Sequence, residues 1–151
     1  MKLRIVRSCH LLLFLLSLSL LVLPSCSSSR RSIGVEAGWD LLGERKVNFV
    51  RDKDEITVNS RYTYTTIRFR VENKDISISE LKVYFNNGDK LEPAVNEVIR
   101  ANESSRFIEL GQQGRFINRI EFKYRSTGSI LKGRATVLVF GKRYNATGGS
   151  Y

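Results

Sequence analysis

Residues 62–71 read Tyr62-Thr63-Tyr64-Thr65-Thr66-Ile67-Arg68-Phe69-Arg70-Val71. Ile67, Phe69 and Val71 alternate with Thr66, Arg68 and Arg70. A period of two is the mark of a half-buried strand, because successive side chains of extended backbone point to opposite faces. The apolar set predicts a core face. Continued regularly, the same register carries Tyr62, Tyr64, Thr66, Arg68 and Arg70 onto the opposite face.

Working outward, the pattern repeats. Before this stretch, Lys46-Val47-Asn48-Phe49 and Glu55-Ile56-Thr57-Val58 alternate, with a turn expected at Asp52-Lys53-Asp54. After it come Leu81, Val83 and Phe85, then the hairpin signal Asn86-Asn87-Gly88-Asp89. Ile108 and Leu110 flank Glu109, and Ile120, Phe122 and Tyr124 alternate with Glu121, Lys123 and Arg125. Ala135 to Phe140 is a continuous apolar run, as expected of a strand buried on both faces. Glycine breaks at Gly43, Gly88, Gly111, Gly114, Gly128 and Gly133 divide these segments. No sustained helical stripe occurs after residue 25. Many short strands in a chain of this size predict a single all-β antiparallel sandwich, jelly-roll-like or Ig-like, over residues 39–142.

The N-terminus is different. Lys2, Arg4 and Arg7 open it, and Leu11 to Leu23 is apolar except for Ser17 and Ser19. Pro24 and Ser25 then lead to Cys26. A basic start, a short apolar segment and a small-residue exit are the pattern of an export signal, against the alternatives of an uncleaved helix or an ordinary signal with an incidental cysteine, and the segment is shorter than the roughly 20 residues of a membrane span. Leu23-Pro24-Ser25-Cys26 resembles the lipobox of bacterial lipoproteins. The resemblance implies that the chain is cut after residue 25 and that Cys26 carries acyl chains; more than one such chain makes a stable anchor. Membrane lipid is then a partner through Cys26. Ser27–Ser32, with Arg30 and Arg31, reads as a flexible tether within residues 26–38, and residues 143–151 as a tail. Serine after Cys26, with no acidic residue there, favours an outer over an inner membrane.

Removing residues 1–25 leaves 126 residues, enough for one domain, with 22 Lys+Arg against 15 Asp+Glu, about +7. It also removes the only histidine, His10, together with Cys9 and Met1. What remains has no disulfide within it and no His-based triad, zinc or haem ligation. No cofactor and no enzymatic activity are expected. Nucleic acid is not an expected partner for an exported chain, despite a pI near 9.9.

Three groups of residues are candidates for function. Asp52, Asp54 and Glu55 place three carboxylates in four residues, a possible calcium site, although Asp also suits a turn. Tyr62, Tyr64, Arg68 and Arg70 form an aromatic and cationic stripe suited to a carbohydrate or an anionic surface, extended by Lys123 and Arg125 if their strand is adjacent. A solvated sheet face has the same composition. Glu97, Glu103, Glu109 and Glu121 are the carboxylates from which a hydrolase pair would have to come.

Arg106-Phe107-Ile108-Glu109-Leu110-Gly111, Gly114-Arg115-Phe116-Ile117, Ile120 and Tyr124-Arg125 resemble a family of exported bacterial β-domains of unknown function. Trp39, Leu42-Gly43, Asp52-x-Asp54-x-Ile56-x-Val58 and Phe85-x-Asn87-Gly88 agree with it. The resemblance implies an all-β fold in the cell envelope and transfers no catalytic residue. One departure is Asn102-Glu103-Ser104-Ser105, where a glycine is expected; Asn102 tolerates the left-handed backbone such a turn needs. Gly111 and Gly114 are expected to free the backbone between strands. Arg106 and Arg115 are expected to pin that turn or pair with Glu109 or Glu121. The expectation as a whole is a lipid-anchored envelope protein with a binding or structural sandwich, partnered by an envelope glycan or another envelope protein.

Overall fold

The computed structural model describes residues 34–47, 52–126 and 133–145. The leader, Cys26, most of the tether, Asn48-Phe49, Gly128 and the last residues lie outside this set. The described residues belong to one compact unit that starts at Gly34.

The described chain is all-β, as expected. Its strands are β1 (Trp39–Lys46), β2 (Asp52–Thr57), β3 (Tyr64–Glu72), β4 (Ile76–Phe85), β5 (Lys90–Leu91), β6 (Glu97–Ile99), β7 (Ile108–Glu109), β8 (Ile117–Ser126) and β9 (Thr136–Arg143). They form two antiparallel sheets. One has the order β1-β9-β3-β7; the other has β2-β8-β4-β5, with β6 also paired to β4. The sheets face each other across one core. Ile67, Phe69, Val71, Val137 and Val139 come from the first sheet, and Ile56, Ile78, Val83, Ile120 and Phe122 from the second. Phe69 meets Phe122 edge-on at 5.8 Å between ring centroids. Each ring removed from water contributes about 1.5–3 kcal/mol, so this cross-sheet pair is a main fastening of the sandwich.

β9 explains the apolar run Ala135–Phe140. It lies between β1 and β3, and all six residues are buried. Val137 and Val139 join the inter-sheet core. Leu138 and Phe140 face outward, opposite Arg70 and Arg68, whose aliphatic stems can cover such surface. The Asn86–Asp89 hairpin forms as expected, with Gly88 at φ 88° and the Phe85 amide bonded to the Asp89 carbonyl at 3.0 Å. Asn102 takes φ 68°, the left-handed role read for it.

Four expectations are corrected, and bulges or edge geometry account for most of them. Tyr64 does not share a face with Arg68 and Arg70: the β3–β9 register shifts between Tyr64 and Thr66, and the extra residue turns the Tyr64 ring into the core. Asp52 and Asp54 are not in a turn but begin β2, opposite Tyr124 and Phe122. Gly43 is not a break; it sits within β1, where a Cβ would come 2.3 Å from Ile56 Cγ2. Arg143 is not tail but the last residue of β9. β4 also begins earlier than the alternation of Leu81, Val83 and Phe85 indicates, at Ile76. Ile76 and Ile78 face the core, but a register shift between Ile78 and Glu80 breaks their phase with Leu81, Val83 and Phe85.

Candidate functional site

At one end of the sandwich, β1 begins, β9 ends and the 58–63 loop crosses from β2 to β3. A cleft of about 290 Å³ opens there, lined by Asp40, Leu41, Ser60, Tyr62, Tyr64 and Arg143 among others. Its geometry follows from the backbone. The Tyr64 bulge sends that ring inward, and Gly141 makes the room: a Cβ on Gly141 would lie 2.7 Å from Tyr64 Cδ1 and 2.9 Å from Leu42 Cδ1. The Tyr64 hydroxyl emerges at the cleft floor. It donates to Asp40 Oδ2 at 2.9 Å and lies 2.6 Å from Ser60 Oγ. Arg143 donates to the same carboxylate through Nε at 2.6 Å and Nη2 at 2.5 Å, a two-pronged pair. Its guanidinium also sits over the Tyr62 ring, 3.9 Å from the centroid.

The electrostatics follow. Hydrogen bonds from Arg143 hold the Asp40 carboxyl below its ordinary value; partial burial opposes this, and Tyr64 adds to it. Burial lifts the Tyr64 phenol above its ordinary value; the Ser60 bond opposes and Asp40 reinforces. The cleft therefore holds an ionised carboxylate saturated with donors beside a protonated phenol. Ser60 has a phenol, not a base, as its nearest partner.

Arg68 and Arg70 lie elsewhere, on the outer face of the β1-β9-β3-β7 sheet. Arg68 lies 4.5 Å from the Trp39 ring centroid and pairs with Glu36 at 3.0 Å. Trp39 stacks on Phe107 at 5.5 Å, and Phe107 is 58% exposed. The sequence stripe is thus split: Tyr62 and Tyr64 belong to the cleft, and Arg68 to an aromatic stack. Lys123 and Arg125 do not extend it, since β8 is in the other sheet. Trp39 and Phe107 were missed as a pair because 68 residues separate them and only the sheet brings them together.

Asp54 and Glu55 point to opposite faces of β2. Asp54 accepts from the Tyr124 hydroxyl at 2.9 Å, whereas Glu55 pairs with Arg119 at 3.3 Å. Among the described residues no three His, Cys, Asp or Glu side chains are placed to hold a metal ion. The four glutamates are dispersed. Glu109 accepts from Thr66 at 3.0 Å in one sheet, while Glu121 on β8 pairs with Lys53 at 2.6 Å. Glu97 is on β6, and Glu103 precedes β7. Arg115 pairs with Asp89 at 2.7 Å over the Phe85 ring, and Arg106 binds the Ala94 carbonyl at 2.5 Å, so neither takes Glu109 or Glu121. Gly111 and Gly114 do adopt positive φ, 134° and 66°.

Fold and cleft define an antiparallel β-sandwich domain with a polar, internally paired cleft at one end. The chain belongs to the family described as Domain of unknown function (DUF2541), whose model matches residues 11–141. No curated protein matches the sequence significantly. Among solved structures the chain is similar to the Tobacco streak virus coat protein dimer. Identity is 12%, coverage is 79% of this chain and 95% of that one, and the TM-score is 0.25, too low to bear on the fold.

Proposed function

We propose that the protein is an envelope lipoprotein, fastened to a bilayer through acylated Cys26, whose sandwich works by binding or structural support rather than catalysis. The observation that carries the non-catalytic reading is the state of the acidic side chains. Asp40, Asp54, Glu109 and Glu121 are each bonded to a cation or hydroxyl, and Asp40 is driven towards ionisation rather than poised to exchange a proton. The anchor is supported by Leu23-Pro24-Ser25-Cys26 at the end of the apolar segment. Serine at position 27 favours the outer membrane.

Mass spectrometry of the natural N-terminus tests the anchor. The expected product begins at Cys26 and carries acyl mass, and Cys26→Ser abolishes that mass. A product beginning elsewhere, or at an unacylated Cys26, overturns the reading. A second reading, a module for anionic surfaces, is favoured in altered form. Tyr62 meets Arg143 at one end of the sandwich, while Arg68 and Arg70 stay on the outer face of β3.

A further inference from the structure

We propose that the end of the sandwich where β1 begins is a bilayer-docking surface, seating Trp39, Tyr62, Phe107, Phe116 and Tyr144 among lipid headgroups. The proposal rests on the anchored reading above and names the surface that the domain meets.

Strand register gathers these residues. Trp39 is opposite Lys142, and Tyr64 is opposite both Arg143 and Arg115. The Tyr144 amide bonds the Thr63 carbonyl, and the Asn86 amide bonds the Phe116 carbonyl. Trp39, Tyr62, Phe116 and Tyr144 therefore converge on one end, with Phe107 stacked on Trp39. The exposed large apolar side chains among the described residues are Val35, Leu41, Tyr62, Val98, Phe107, Phe116 and Tyr144. Tyr62, Phe116 and Tyr144 lie at this end and Leu41 lines its cleft; Phe107 stacks on Trp39 on the adjoining outer face of the β1-β9-β3-β7 sheet, Val35 precedes β1, and Val98 is on β6. Single exposed apolar residues need no explanation, but a concentration of them marks a contact surface.

The charges suit a membrane. Asp40 is neutralised by Arg143, Asp89 by Arg115 and Glu36 by Arg68, while exposed Arg61 and Lys142 outnumber exposed Glu109, which lies in the row of Trp39 and Lys142. Trp39, Tyr62 and Tyr144 carry a polar edge, and such rings flanked by cations are the composition that settles at a lipid–water interface, with Phe107 and Phe116 adding apolar area. A glycan site would instead need polar groups free to bond hydroxyls, and those of the cleft already bond one another. Chain connectivity points the same way. Residues 34–38 lead into Trp39, thirteen residues after Cys26, a span of at most about 45 Å. An anchor at Cys26 holds this end at high effective concentration near the bilayer.

Trp39 is the only tryptophan, so its fluorescence reports the contact directly. The test uses the chain from residue 26 with Cys26→Ser, which contains the entire core and carries no acyl chain. With phosphatidylglycerol-containing vesicles, Trp39 emission should shift to the blue and be quenched by lipids brominated on their acyl chains. Phe107→Ser combined with Tyr144→Ser should weaken vesicle affinity by at least about fivefold. Both side chains are exposed, and an unchanged circular dichroism spectrum would show that the fold is kept. Absence of shift and quenching overturns the proposal, as does equal binding by the folded double variant. A response to soluble peptidoglycan fragments but not to vesicles assigns the surface to a glycan and overturns it too. Because no acyl chain is present, failure here leaves the anchor standing, and an unacylated natural N-terminus leaves this binding result standing.

Discussion

Replacing Asp40 by Asn keeps the side chain's shape and removes its charge. In the wild type this carboxylate receives two donors from Arg143 and one from the Tyr64 hydroxyl. A hydrogen bond to a charged group contributes about 1.5–3 kcal/mol when sheltered, whereas an exposed ion pair contributes about 0–1 kcal/mol. The Asp40 side chain is 22% exposed and that of Arg143 is 38%, so solvent screening discounts the pair. Asp40→Asn should therefore cost about 1–2 kcal/mol at pH 7. The pH dependence is the sharper signature. The folded-state pKa of Asp40 lies below its ordinary value of 3.8, so the folded protein favours the ionised form. The resulting stability is fully present above pH 3.8 and is lost as pH falls through the lower folded value. Urea unfolding followed by Trp39 fluorescence, from pH 7 to pH about 2.5, should show wild type and variant converging only in acid. A penalty that is absent at pH 7, or as large at pH 2.5 as at pH 7, would refute the claim that ionised Asp40 organises this end. Tyr64→Phe should cost about 1 kcal/mol, and combined with Asp40→Asn it should be less than additive, since the two side chains share a bond.

Gly141→Ala should destabilise by about 1–3 kcal/mol in the same urea assay, because its Cβ would press on the Tyr64 ring and Leu42. Phe122→Ala should cost about 3–5 kcal/mol, removing the ring that meets Phe69 across the core; a loss below 1 kcal/mol would mean that the two sheets are not fastened there. Asn102→Ala should lower stability by about 1 kcal/mol, while Asn102→Gly should leave it nearly unchanged, as expected of a non-glycine residue at φ 68°. At high pH, where burial has raised the Tyr64 phenol, stability held below pH 10 should fall as pH rises through that raised value, and Tyr64→Phe should remove this component.

Regular strands were legible because alternation is a local property. β8 is the clearest case: Ile120, Phe122 and Tyr124 face the core, and Lys123 and Arg125 do not, as their spacing required. Residues with fixed backbone demands were legible too, as Asn102 and Gly88 show. The errors cluster where one residue is added to a strand. The bulge beside Tyr64 moved its ring from the surface to the core, and the one near Ser79 hid Ile76 and Ile78. A bulge needs no distinctive residue type, so alternation alone does not reveal it. The candidate site was half legible for the same reason. Tyr62 and Tyr64 were singled out, but as members of the wrong face.

The amino-acid sequence by itself determined the all-β class, the run destined for a doubly covered strand, and the turns at Asn86–Asp89 and Asn102. Each depends on side-chain period or on local backbone preference. Only the tertiary structure decided which residues meet: Asp40 with Arg143 across 103 positions, Trp39 with Phe107, and the gathering of exposed aromatics at one end. Such meetings depend on strand order and register, which are set by how two sheets share one core rather than by any segment's own pattern.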